Sequence, residues 1–406
     1  MYKRSFEHWQ QAIERRYDRI LLEAYRISIP GKVRRMRAKS QINVLFILSE
    51  LSVWKTEDLY LRMLRHPRFN PILGLTKSTE NTLFINDLEA YVKQKGYNYL
   101  LLSQSNFPHP DIIFYQKPYD GVYPHWLTCR KHLNSLFCYV SYGIHSLVEP
   151  WSMDTPLHKY AWQWYYENDL ATTSAKKLME NKGKNIVVTG IPLMDQFILP
   201  KEEFSDPWKP QKDKKKRIIY APHHTIGSDH LQGIGFSTFL ENADFIAELS
   251  QKYKGTTQWA FKPHPLLWIK LMKVWGEERT NQYYRFWENQ ENTQISLGKY
   301  IDLFKYSDAM IHDCCSFSIE YLYAGNPVLY LLNDEQHTDS LNEFAIEAFN
   351  LHEKAIRHED IEHFVQNVIE GKDNNKKQRD AFYRKYLIPP YGNSACDNII
   401  SAILGK

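Results

Sequence analysis

Short unbroken apolar runs recur along this chain, each followed by a turn and a helix-patterned stretch, and no other feature limits the fold as strongly. INVLFIL (Ile42–Leu48), DIIFYQ (Asp111–Gln116), LFCYV (Leu136–Val140) and NIVVTG (Asn185–Gly190) form a first set. RIIYAP (Arg217–Pro222), QWAFKP (Gln258–Pro263), AMIHD (Ala309–Asp313) and PVLYLL (Pro327–Leu332) form a second. Runs this short, apolar at successive positions, read as strands buried on both faces of a parallel sheet, with the intervening helices as crossovers. The predicted fold class is therefore α/β, with two Rossmann-like domains. Between the sets, Pro200 to Lys216 (PKEEFSDPWKPQKDKKK) has no apolar period and reads as a linker. The expected division is a helical segment over 1–40, an α/β domain over 41–205, a second over 206–385 and a terminal helix over 386–406.

Composition narrows the classes. With 43% hydrophobic and 24% charged residues over 406 positions, the chain is globular and long enough for two cores. A formal charge of +4 is too small for a dedicated nucleic-acid binder, so no nucleic-acid partner is expected. Cys129, Cys138, Cys314, Cys315 and Cys396 form no CxxC pair, and their odd count fits a reducing compartment. No apolar stretch has the length of a membrane span, and the opening MYKRSFEHWQQ is not a signal core. A cytoplasmic location is expected. Within 1–40 the charge is strongly basic, and Ile13, Tyr17, Ile20, Leu21 and Tyr25 recur at helical spacing up to Pro30 and Gly31, where a break is predicted. This basic amphipathic helix either lies on an anionic membrane surface or packs on its own domain.

Ligands of open parallel sheets bind at the carboxyl ends of the strands, so residues just beyond each run are the first candidates. These are His145 beyond LFCYV, Gly190 and Pro192 beyond NIVV, and His223, His224 and Thr225 beyond RIIYAP. They continue with Lys262 and His264 beyond QWAF, then Asp313, Cys315, Ser316, Phe317, Ser318 and Glu320 beyond AMIH. The DCCSFS turn leading into IEYLYAG offers backbone N–H groups and hydroxyls to phosphate oxygens, and Lys262 with His264 offers a cation and an imidazole. A metal site drawn from His223, His224, His264, His312, Cys314 and Cys315 is disfavoured, because adjacent pairs on a strand point to opposite faces and no HxxE or CxxC spacing occurs. Neither GxGxxG nor GxxxxGK[ST] is present.

The ordered set IHS (144–146), TGIPLMD (189–195), YAPHHT (220–225), KPHPLL (262–267) and SDAMIHDCCSFSIEYLYAGNPVLYL (307–331) resembles the CDP-glycerol glycerophosphotransferase family of teichoic-acid and capsule alcohol-phosphate transferases. The resemblance implies a GT-B-like arrangement of two Rossmann-like domains facing a cleft, with an acceptor-side N-terminal domain and a CDP-alcohol-binding C-terminal domain. It implies transfer of an alcohol phosphate, glycerol phosphate first, from the CDP-alcohol donor to a hydroxyl of a lipid-linked or polymeric glycan acceptor, releasing CMP. By position, His145 resembles the family's general base and His264 its diphosphate-contacting histidine, while Asp313, Ser316 and Glu320 resemble the phosphate- and nucleotide-binding stretch. The chain departs from the family pattern in three places: Ile144, Ser146 and Leu147 surround the first histidine, Cys315 replaces a common serine, and His224 and Thr225 replace a Trp-Arg pair. No carboxylate cluster accompanies these residues, so metal-independent chemistry without cofactors is expected, in a peripheral protein on the inner face of the cell membrane. The rival readings are a GT-B glycosyltransferase using a nucleotide sugar and a non-catalytic component of a polysaccharide-synthesis complex.

Overall fold

The structure, a computed structural model, describes residues 2–79, 82–148, 153–227, 236–332 and 340–406, with side chains from residue 16 onward. Two compact units emerge. The first comprises Met1–Gly143, Glu149–Leu193 and Pro389–Lys406, and the second Ile144–Val148 and Met194–Ile388.

In the first unit, β1 (Ile42–Leu48), β2 (Phe69–Leu75), β3 (Tyr99–Leu101), β4 (Ile112–Tyr115), β5 (Leu136–Val140), β6 (Gln163–Tyr166) and β7 (Ile186–Val188) form one sheet in the order β3-β2-β1-β4-β5-β6-β7. Every pairing is parallel. The predicted runs became β1, β4, β5 and β7. The sequence reading missed β2, whose FNPILGL is interrupted by Pro71 and Gly74. Gly74 is dictated by packing, since a Cβ there would sit 2.6 Å from Leu102 and 2.9 Å from Leu45. The core gathers Phe46 and Phe114, stacked at 4.8 Å, with Leu59, Tyr60 and Met63 of the helix Glu57–Arg65.

The N-terminal helix spans Tyr2–Ala38 and passes through Pro30, contrary to the predicted break. Proline inside a helix removes one hydrogen bond, a loss of roughly 3 kcal/mol that tertiary contacts can offset. Here Arg37 donates to the carbonyls of Ile403 and Ala402 at 2.9 and 3.1 Å, Met36 is buried, and Tyr25 Oη donates to Ser135 O at 3.0 Å. The buried stripe also differs from the predicted one. Leu22, Tyr25 and Met36 face the core with Ile29 and Val33, while Tyr17 and Ile20 are 64% and 62% exposed. Both sides of this helix carry apolar residues at helical spacing, so periodicity alone did not choose between them. The predicted stripe residue Ile13 lies outside the described side chains.

The C-terminal helix Ala395–Leu404 starts where Ser394 Oγ accepts from Asp397 N, and it buries Cys396, Ile399, Ile400 and Ile403 in the first core. The chain's end thus completes its beginning. Gly190, at φ 81°, lies against this return: a Cβ there would meet Pro389 and Ala395 at 3.0 and 3.1 Å.

In the second unit, β8 (Lys216–Ala221), β9 (Thr257–Phe261), β10 (Thr293–Ile295), β11 (Ala309–His312), β12 (Val328–Leu331) and β13 (Glu353–Ala355) form a parallel sheet in the order β10-β9-β8-β11-β12-β13. The short β10 and β13 went unread. Pro200–Lys216, read as a linker, is packed on this unit: Trp208 Nε1 donates to Leu303 O, Lys209 N to Gln294 Oε1 at 2.6 Å, and Gln258 Nε2 returns to Lys209 O at 2.7 Å. The divide falls instead between Leu193 and Met194.

In each sheet the strand order reverses once, between β1 and β4 and between β8 and β11, and there the loops beyond the strands diverge. Since Ile399 is fully buried, Ile399→Ala should lower the first unit's stability by about 2–5 kcal/mol, read as a fall in the urea midpoint. An unchanged midpoint would contradict this assignment of the C-terminal helix.

Candidate active site

At the reversal between β8 and β11 the chain runs from Ala221 into Pro222-His223-His224 and from His312 into Asp313-Cys314-Cys315. Asp313 is fully buried, and its carboxylate joins the two loops. Oδ1 accepts from His223 N at 2.5 Å, while Oδ2 accepts from Thr238 N at 2.7 Å and Thr238 Oγ1 at 3.2 Å. Burial raises its pKa to about 6 in spite of these donors. Asp313, expected to touch substrate phosphates, instead holds the β8 loop and the start of the helix Phe239–Lys252 in place.

Around this anchor the imidazoles of His223, His224 and His264 pack together, with ring centres 4.3 Å apart for the first pair, 4.1 Å for His224 and His264, and 5.5 Å for His223 and His264. Each ring accepts a hydrogen bond at Nδ1. Thr225 Oγ1 lies 2.9 Å from His223 Nδ1, and Thr225 N donates to the same atom at 3.4 Å. Lys270 Nζ, which can only donate, is 2.6 Å from His224 Nδ1, and Leu266 N donates to His264 Nδ1 at 3.1 Å. A neutral imidazole that accepts at Nδ1 carries its proton on Nε2. In their neutral forms the rings therefore carry the proton on Nε2. Burial, then the neighbouring imidazoles and Lys270, lower His223 to about 2; burial, then His224, Lys270 and Lys262, lower His264 to about 3.

The other candidates separate into two groups. Cys315 and Ser316 are half-exposed on the turn after Asp313. Ser146, beside His145, brings its Oγ to 3.2 Å from Cys315 Sγ across 169 positions of chain. Residues 144–148 are stitched to the segment before the helix Glu343–Phe349: Asn342 Nδ2 donates to His145 O at 2.7 Å, Asn342 N to Ser146 O at 2.9 Å, and Val148 N to Ser340 O at 2.7 Å. His145 therefore belongs to the second unit, although the chain on either side of 144–148 belongs to the first.

The second group is committed inside the protein. Ser318, expected to present a hydroxyl to phosphate, is buried and donates to Cys314 O at 3.0 Å. Phe317 packs on Tyr300 and Phe304 at 5.3 and 5.2 Å. Thr225 accepts from Phe236 N and Ser237 N to shape its own loop. Glu320 is buried beside Tyr300, whose hydroxyl is held well up by burial and by that carboxylate. Gly190 and Pro192 lie in the first unit, where Gly190 serves packing. Lys262 donates to Gly298 O at 3.0 Å over the Tyr300 ring. Sequence reasoning missed Lys270 and Tyr300. The signal for Lys270 was a lone cation in the first turn of the apolar helix Leu267–Val274, directly after KPHP. Among the described residues no group of His, Cys, Asp or Glu side chains has the arrangement of a metal site.

Fold and site together define a GT-B-like α/β protein with neutral imidazole donors and a lysine gathered at one sheet reversal. The family model described as CDP-glycerol:poly(glycerophosphate) glycerophosphotransferase matches residues 156–404, so the chain belongs to that family and is a transferase of glycerophosphotransferase type. The matched stretch contains every second-unit candidate except His145, which precedes it. No curated protein matches the chain. Among solved structures it is similar to the wall teichoic acid polymerase TagF in a variant soaked with CDPG, at 13% identity and TM-score 0.57, covering 100% of this chain and 97% of that one. It is also similar to UDP-GlcNAc 2-epimerase from Neisseria meningitidis bound to UDP-GlcNAc, at 13% identity and TM-score 0.56 with 90% and 100% covered. A third similar structure is a putative UDP-N-acetylglucosamine 2-epimerase from Listeria monocytogenes, at 14% identity and TM-score 0.53 with 90% and 96% covered. At such identities the likeness is one of fold.

The buried imidazoles set a pH dependence. The pKa values of His223 and His264 are lowered on folding, so the unfolded chain binds protons first as the pH falls below about 6.5, and stability is lost in that direction. His312, lowered to about 3, and His352, lowered well below its ordinary value, act with the same sign; Asp313, raised to about 6, opposes them as one group. The urea midpoint of the second unit should fall between pH 7 and pH 5, and His223→Gln should flatten the slope. A midpoint that rises on acidification would contradict the arrangement.

Proposed function

We propose that this chain transfers glycerol phosphate from CDP-glycerol to a hydroxyl of a lipid-linked or polysaccharide acceptor, with release of CMP, in the synthesis of a wall-teichoic-acid or capsule-type polymer. The observation that carries this is the set of Nδ1-locked imidazoles of His223, His224 and His264 with Lys270 beside them. Family membership supplies the reaction class, and the CDPG soaked into TagF supports the donor.

In the proposed reaction the acceptor oxygen attacks the phosphorus that carries glycerol. The bond from that phosphorus to the bridging oxygen breaks, and CMP departs with the bridging oxygen. His145 takes the hydroxyl proton. The Nε2–H groups and Lys270 hold the diphosphate, and charge building on the departing phosphate is met by fixed donors in a dry environment. Ser316 and Cys315 line the turn that follows. The nearby carboxylates, Asp313 and Glu320, are buried and engaged within the protein, which favours chemistry without a divalent metal.

The working place proposed is the cytoplasmic face of the membrane. No described helix is long and apolar enough to cross a membrane. The outward side of the helix Tyr2–Ala38 sets Tyr17, Ile20 and Ile27, the last 79% exposed, among exposed Arg16, Arg19, Arg34 and Arg35. Apolar side chains bordered by arginines suit an interface of anionic headgroups over acyl chains.

With CDP-glycerol and a lipid-linked disaccharide carrying one glycerol phosphate, acceptor-dependent CMP release is expected. It should persist after chelation by EDTA, fall about 100-fold or more in His264→Ala and fall by a similar factor in His145→Ala. Absence of CMP release with CDP-glycerol or CDP-ribitol would return the nucleotide-sugar reading. Separately, Ile20→Glu with Ile27→Glu should abolish sedimentation with phosphatidylglycerol vesicles, while both proteins stay unbound to phosphatidylcholine. Undiminished sedimentation of the double variant would remove this helix face from membrane contact.

A further inference from the structure

The first unit's sheet reverses between β1 and β4, and the loops there are tied together as at the second unit's reversal. Ser49 N, Ser49 Oγ and Glu50 N all donate to Gln116 Oε1, at 2.8, 3.2 and 3.1 Å, and Gln116 Nε2 donates back to Glu50 O. Gln116 thus does for the first unit what Asp313 does for the second. Directly beyond this tie, Lys117 Nζ and Glu50 Oε2 form an ion pair at 3.0 Å, with side chains only 11% and 15% exposed. Tyr119 and Tyr142, on the segments that follow β4 and β5, bring their hydroxyls to 3.4 Å from each other. Tyr123 Oη fixes the Lys117 backbone, accepting from Lys117 N at 2.7 Å and donating to Lys117 O at 3.2 Å.

Open parallel sheets bind ligands in the crevice outside the strand ends at the reversal of strand order. A largely desolvated ion pair adds little net stability, because desolvation cancels most of the attraction. A cation and a carboxylate held side by side at the strand ends match a ligand that presents a phosphate and neighbouring hydroxyls together. The ammonium takes the phosphate oxygens, and the carboxylate accepts from the hydroxyls.

We propose that Glu50 and Lys117 form a binding site for the polyol-phosphate end of the acceptor, with Lys117 on the phosphate and Glu50 on the glycerol hydroxyls. This deepens the proposed function and rests on it for the acceptor's identity. Nothing in the sequence pattern had selected these residues.

The test titrates the full chain with a synthetic tetra(glycerol phosphate) and, separately, with CDP-glycerol. The tetramer is expected to slow amide hydrogen exchange at 49–55 and 116–119, and CDP-glycerol to leave both stretches unchanged. Lys117→Ala should weaken tetramer binding by about 10- to 100-fold, the range for losing a charge-assisted contact, with CDP-glycerol affinity within about twofold of wild type. Lys117→Arg, which keeps the charge, should hold tetramer affinity within about tenfold. No protection of 49–55 and 116–119 in the wild type, or equal tetramer affinity in Lys117→Ala, overturns the proposal. The exchange measurement decides the matter even if Lys117→Ala does not fold. Failure of CDP-glycerol to bind the wild type, with tetramer protection intact, would instead fall on the donor reading of the second unit.

Discussion

The Asp313 carboxylate is the interaction on which the rest of the candidate site depends. At the reversal of a parallel sheet two loops leave in opposite directions, and nothing in the sheet's own hydrogen bonding holds them together. A buried carboxylate that accepts from His223 N on one side and from Thr238 on the other supplies that hold. Its own ionisation is disfavoured by burial, and the donors aimed at it offset part of that penalty. An amide at this position would turn an NH2 group toward one of those N–H donors, leaving a buried donor without an acceptor. The carboxylate is therefore required by geometry, and its role is to position the imidazoles.

The same geometry explains how buried histidines become useful. Each ring gives its Nδ1 lone pair to a local donor, Thr225, Lys270 or the amide of Leu266, which leaves the proton of a neutral ring on Nε2. Burial first, and then the close imidazoles and lysines, disfavour positive charge on His223 and His264. A diphosphate placed against them would reverse that balance and raise their affinity for protons, so positive charge would gather at the site as the anion arrives.

Much of this was legible in the sequence. Unbroken apolar runs identified β1, β4, β5, β7, β8, β9, β11 and β12, because strands buried on both faces leave no polar alternation to confuse the pattern. The strands that escaped are the short β3, β10 and β13, with β2, broken by Pro71 and Gly74, and β6, whose QWYY is aromatic and polar by type yet buried throughout. His223, His224 and His264 were found because strand-end position is a sequence property. What each side chain does there was not: Asp313 and Glu320 turn inward to partners far along the chain, His223, Thr238 and Tyr300, and Ser318 turns back onto Cys314 O one helical turn before it. The course of the N-terminal helix through Pro30 has the same origin: its support comes from the carbonyls of residues 402 and 403.

The two sheet reversals argue for a common building rule with different chemical outcomes. Each unit ties its diverging loops with one side-chain acceptor, Gln116 in the first and Asp313 in the second. Beyond Gln116 stands an ion pair; beyond Asp313 stand neutral rings. A neutral amide tie adds no charge of its own, so a lysine beside it must bring its own counter-ion, and Glu50 fills that role. A carboxylate tie that burial leaves near the balance point of its ionisation is followed by groups that can change charge with the ligand. The residue chosen for the tie thus bears on whether the crevice beyond it carries fixed charges or responsive ones, and both arrangements suit the handling of phosphate.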